Sequence, residues 1–132
     1  MNLMDGLVQV SFTVIARLSQ VAAAHDMSLT QLRMLAILRD RDREPRMAEL
    51  AAFLGLEKSS VSGLIDRSAK RGVVRREATP DDARAVRVVL TPAGRRLAAE
   101  MTGEVAALLA PMTDRLGAAD RGRLGALLAG LL

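Results

Sequence analysis

Between Lys58 and Lys70 the chain reads KSSVSGLIDRSAK. Val61, Leu64, Ile65 and Ser68 recur at helical spacing and mark an inner face. The outer face carries Ser59, Ser62, Gly63, Asp66 and Lys70 in one stripe, with Ser60, Arg67 and Arg71 beside it. Serine hydroxyls donate to phosphates and contact base edges, and small side chains let a helix sit deep in a major groove. The amides at the helix start, beside Lys58, add a phosphate site. An ordinary solvated face would also be polar. Serine is a mediocre helix former, however, so a cluster of three so close together is poorly explained by solubility alone. The chemistry expected of this face is the reading of double-stranded DNA.

A second candidate follows at once. Residues 75–90, RREATPDDARAVRVVL, hold four arginines and three acids. Val73 to Ala78 and Ala85 to Leu90 read as two strands around a polar loop containing Pro80. Val86, Val88 and Leu90 face one way, and Arg87 and Val89 the other. Arg84, near the tip, suits a narrow minor groove, which attracts guanidinium groups. Asp82 lies two residues away and would hold Arg84 extended. Arg76 and Arg87 would keep the strands near the DNA backbone. Glu77 and Asp81 would be repelled by phosphates, which argues against a purely electrostatic patch. The plainer alternative is a polar surface hairpin.

These two features need a scaffold. Met47 to Leu54 reads as a short helix with Met47, Leu50, Ala51 and Leu54 on one face, and Gly55 suits its C′ position. Gly55-Leu56-Glu57 is then a three-residue turn into the serine-rich helix, which makes a helix-turn-helix over residues 48–67. Upstream, Ser28 and Gln31 form a capping box, with Met27 and Leu32 as its hydrophobic staple, and the helix runs to about Arg39. Its inward residues are Leu32, Leu35, Ala36 and Leu38. A charged loop, 40–45, closes at Pro45. Residues 3–24 read as a first helix, apolar on most sides, so a partner subunit is expected to cover it. After the hairpin, Thr91 caps a helix that starts at Pro92, with Leu97, Met101, Val105 and Leu108 inward. Pro111 should kink or end it. A last helix is weakened by Gly122, Gly125 and Gly130 and needs a packing partner.

Composition sets the outer bounds. A length of 132 residues suits one domain. Phe12 and Phe53 are the two aromatics, so Leu, Val, Ala and Met must build the core. There is no cysteine and one histidine, which excludes disulfides, thiol redox sensing and a metal site built on several His or Cys ligands. Net charge is +4, and Lys58 and Lys70 are the only lysines, so arginine carries the positive charge. That balance fits a polyanion partner, although it also serves solubility. No apolar run is expected to reach the roughly 18–20 residues that span a bilayer, and the N-terminus lacks a basic signal region. No membrane partner and a cytoplasmic location are the expectations. No nucleophile–base pair, phosphate loop or carboxylate dyad is present, so neither catalysis nor a cofactor is expected.

Taken together, residues 58–94 resemble the core of the MarR family of bacterial transcription regulators. The motifs are the serine-rich helix, Asp66-Arg67, Gly72, Asp82-Ala83-Arg84 and Leu90-Thr91-Pro92-Ala93-Gly94. Gly63 departs from the pattern, because a larger and often basic residue is common there. The resemblance implies a mainly α fold with a small two- to three-stranded β wing. This is a single winged helix-turn-helix domain over 1–132, with dimerisation helices at about 1–25 and 92–132 and a DNA-binding part at about 28–90. It implies a homodimer on a pseudopalindromic operator, most simply a repressor, often relieved by a small lipophilic or phenolic ligand. DNA contacts would come from Lys58, Ser59, Ser60, Ser62, Gly63, Arg67, Lys70, Arg76, Asp82, Arg84 and Arg87. A ligand pocket between the first two helices would involve His25, Arg17 and Met34. Each has a plainer alternative: His25 as a cap or surface group, Arg17 facing an acid of the other subunit, Met34 in the core. The rival to the whole reading is a winged helix used for protein–protein contact without DNA.

Overall fold

The computed structural model describes residues 1–40, 44–82 and 85–132. Six helices and one hairpin follow in the order α1 (Leu3–Ala24), α2 (Leu29–Asp40), α3 (Met47–Leu54), α4 (Lys58–Lys70), β1 (Val74–Ala78), β2 (Val86–Leu90), α5 (Pro92–Thr113) and α6 (Ala118–Ala129).

The helix starts follow local chemistry. Asn2 caps α1, its side chain accepting from Asp5 N at 2.9 Å. The Ser28/Gln31 box is present in both directions: Ser28 N donates to Gln31 Oε1 at 2.9 Å, and Gln31 N to Ser28 Oγ at 3.1 Å. At α3 the reciprocal half of such a box forms, with Arg46 N donating to Glu49 Oε1 at 3.2 Å. Gly55 ends α3 at φ 66°, the left-handed conformation that glycine adopts without steric cost. Leu56 N then donates to Ala51 O at 3.0 Å, which closes the turn into α4.

The core lies where α2, α3 and α4 meet the hairpin and the first half of α5. Leu35, Leu50, Val61, Ile65 and Val88 are fully buried there. Met34 is fully buried too, so this methionine belongs to the core rather than to a pocket wall. Ala36 and Leu38, expected inward, are only half-buried. Val88 and Val89 are both buried, although they point to opposite faces, because β2 is flanked by α2, α3 and α5. Strands β1 and β2 pair antiparallel from Val74↔Leu90 to Ala78↔Val86. The third strand shrinks to one bridge, Arg46↔Arg87, beside a Val88 N to Pro45 O bond of 3.0 Å.

The join between wing and α5 is close. Thr91 caps α5, its Oγ1 accepting from Gly94 N at 3.0 Å and donating to Gly72 O at 2.6 Å. Gly94 lies so near the preceding turn that a Cβ there would sit 1.9 Å from Val73 O. Downstream, Pro111 lies in the last turn of α5 without being its last residue. The helix runs to Thr113, whose Oγ1 donates to Leu109 O and Ala110 O at 3.4 and 3.3 Å. A proline there removes one ladder bond, and the helix ends two residues later.

The two ends of the chain are different. Helix α1 buries only Val21 and Ala22, and α6 buries nothing. Phe12 is 68% exposed and Leu127 64%. Helix α1 is also long and apolar enough to cross a membrane by length and composition. That corrects the expectation from uninterrupted runs: Asp5 and Arg17 interrupt the run without lowering the average enough.

Candidate nucleic-acid interface

The four inner residues of α4, Val61, Leu64, Ile65 and Ser68, are all buried, which fixes the rotation of the helix. The opposite face is therefore presented outward. Lys58, Ser59, Ser60, Arg67 and Lys70 are exposed, while Ser62 and Gly63 are half-buried. The Arg67 guanidinium folds back over Gly63, its Nη1 lying 3.3 Å from where a Cβ would be. Glycine at 63 thus leaves room for the arginine to lie along the helix, and a basic head covers a position that itself has no side chain.

A cleft of about 580 Å³ separates the start of α4 from the wing, lined in part by Arg46, Lys58, Ser59, Ser62, Asp82 and Val86. Among the described residues, Arg46 and Lys58 are the two cationic side chains that line it. Arg46 was not singled out by the sequence. It follows the charged loop, immediately before α3, bridges to Arg87, and lines the same cleft as Lys58.

The wing arginines are less free than the sequence suggested. Arg76 pairs with Asp66 Oδ1 at 2.6 Å and donates to Ser62 O at 3.4 Å, so it ties β1 to α4. Arg87 lies 3.7 Å from Glu44 Oε2 and is only partly exposed. Arg75 pairs with Glu77 at 3.3 Å. The loop beyond β1 is clasped by Thr79, which is buried: its N donates to Ala85 O at 3.2 Å, and its hydroxyl to Asp82 O. Asp82 stands at the rim of the cleft. Ala83 and Arg84 lie outside the described residues.

The three candidate ligand residues are not brought together. Arg17 is exposed on α1, Met34 is in the core, and His25 caps α1 with its Nε2 donating to Glu104 Oε2 of α5 at 2.8 Å. Glu100 completes a group whose ligand atoms all lie within 4.8 Å of one another, the one such group of His and acids among the described residues. A separate, mainly apolar cavity of about 200 Å³ opens between α1, α2 and α5, bounded by Leu18, Leu32, Ala36, Asp40, Met101 and Thr102 among others. Of its walls, Leu32, Ala36, Met101 and Val105 read as inward residues of α2 and α5 in the sequence.

Residues 25–85 match the MarR family model. Over that segment, a little under half of its length, the chain is similar to the MarR family. The HTH-type transcriptional regulator YfiV of Bacillus subtilis is 32% identical over 72 residues, which is 54% of this chain and 44% of that protein. The chain therefore spans less than half of this curated relative. Among solved structures, wild-type apo MarR from E. coli superposes with a TM-score of 0.83 at 24% identity, over 100% of this chain and 97% of the other. NadR in complex with 4-hydroxyphenylacetate superposes with a TM-score of 0.80 at 24% identity, over 99% and 92%. The chain thus shares its winged-helix fold end to end with proteins of similar length.

Proposed function

We propose that this chain is a MarR-type, dimeric, sequence-specific DNA-binding regulator of transcription, acting most simply as a repressor. The observation that carries this reading is the outward face of α4. It is held in place by a buried inner face, opens with Lys58 and three serines, and borders a cleft that Arg46 also lines. Phosphate contacts would come from Lys58, Arg46, Arg67 and the amides at the start of α4, and base-edge contacts from Ser59, Ser60 and Ser62. Arg84 would reach the minor groove from the wing. Arg76 and Arg87 act differently from the sequence expectation: bound to Asp66 and Glu44, they set the angle of the wing. The exposed apolar faces of α1 and α6 would meet their counterparts in a second copy. The cavity between α1, α2 and α5 is the best candidate for a small lipophilic effector, in keeping with the 4-hydroxyphenylacetate held by NadR.

Binding to duplex DNA as a function of salt is the test. A protein that neutralises several phosphates loses affinity steeply as salt rises. Ser62→Glu should then weaken binding by at least about tenfold, or 1.4 kcal/mol, with the oligomeric state unchanged. Salt-independent binding, or an unaffected Ser62→Glu variant, would favour a winged helix used for protein contact.

A further inference from the structure

We infer that Arg71 is a positioning residue that couples the arm helices to α4 through the corner between α1 and α2; this rests on the dimeric DNA-binding reading above. Arg71 caps the end of α4, beside the outer face that the sequence assigns to DNA. Its guanidinium turns elsewhere. Nη1 donates to Asp26 O at 3.0 Å, and Nη2 donates to His25 O. Both carbonyls lie just past the last turn of α1, where unpaired carbonyls and the negative end of the helix dipole favour a cation. Two parallel bonds from one planar fork fix orientation as well as distance.

The corner itself is tightly built. Met27 N and His25 N both donate to Ala22 O, at 2.9 and 3.1 Å, and Asp26 takes a left-handed φ of 55°. On its far side the His25 ring is held by Glu104 at 2.8 Å, with the His25 side chain 16% exposed. One residue is therefore bonded through its carbonyl to the end of α4 and through its ring to α5. A shift of α5 against α1 moves His25, and with it the carbonyls that hold Arg71. In a dimer built on α1, α5 and α6, this linkage sets how far apart the two α4 helices stand, which must match one turn of DNA, about 34 Å.

The chain has no native cysteine, so a spin label at Ser60→Cys reports one distance between protomers. Pulsed electron–electron resonance on the DNA-free dimer should give a narrow distribution, and Arg71→Ala should at least double its width. Arg71→Lys should recover part of the sharpness, because an ammonium can reach one of the two carbonyls. On a palindrome selected from random duplexes, Arg71→Ala should lose about tenfold in affinity, while a single half-site should lose less than threefold. The salt slope should not change, since no phosphate contact is lost. Glu104→Ala should give a similar but milder defect, and the double variant should be no worse than Arg71→Ala alone, as members of one chain are non-additive. An unchanged distance distribution overturns the proposal. So does an equal loss on both duplexes, a slope flatter by about one unit, or strict additivity with Glu104→Ala. If Arg71→Ala does not fold, Arg71→Gln carries the same tests, since its amide can still donate to one carbonyl. Failure of the wild-type chain to bind any palindrome bears on the DNA reading, whereas the label widths bear on Arg71 alone.

Discussion

At the residue scale, two small side chains mark where packing is decided. Gly94 sits where the start of α5 presses on the turn after α4, and the atom it would strike is the backbone oxygen of Val73 at 1.9 Å. A backbone oxygen held by Thr91 N at 3.1 Å cannot move aside cheaply. Gly94→Ala should therefore destabilise the fold by about 1–3 kcal/mol, the usual cost of overpacking, read as a lowered midpoint in denaturant. An unchanged midpoint would mean that α5 can slide away from the wing. The glycine of the Leu-Thr-x-x-Gly motif thus has a structural reason that spacing alone did not supply. Ser68 is the opposite case. Its hydroxyl is fully buried and has no hydrogen-bond partner among the described residues. A buried unsatisfied polar group costs about 1–3 kcal/mol, so Ser68→Ala should raise the melting temperature. A drop would show that the hydroxyl has a partner such as a bound water.

At the element scale, the unpartnered helices give the sharpest expectation. Phe12 on α1 is mostly exposed, as are Leu127 on α6 and Leu131 just beyond it. If a second copy covers them, Phe12→Asp removes an apolar side chain worth about 1.5–3 kcal/mol from each subunit. The dimer should then weaken by a hundredfold or more, and sedimentation at low micromolar concentration should show monomer. A dimer of unchanged strength would place the interface elsewhere. Much of the element layout was legible in the sequence, because capping and periodicity are local. Ser28/Gln31, Gly55, Thr91-Pro92 and the inner face of α4 all fell where local rules put them. What was not legible depended on neighbours distant in sequence. Val89 is buried because helices cover both faces of β2. Arg76 is engaged because Asp66 arrives from α4. Met34 is core because α2 turns it inward. His25 meets Glu104 across 79 positions, and no sequence signal joined the two. Pro111 lies within the last turn of α5, two residues before its end.

At the scale of the whole molecule, the parts form one sequence of dependence. The core orients α4, the wing flanks it, and in the proposed dimer the arms would set the separation of two such units. Two copies of α4 would then read two half-sites on one face of DNA. Selection of bound duplexes from a random pool tests it most directly. The account predicts recovery of a pseudopalindrome with half-sites about 10 base pairs apart, centre to centre, bound by one dimer. Inserting about five base pairs, half a turn, should abolish tight binding by moving one half-site to the opposite face. Recovery of no common sequence, or tight binding that survives the insertion, would contradict the account.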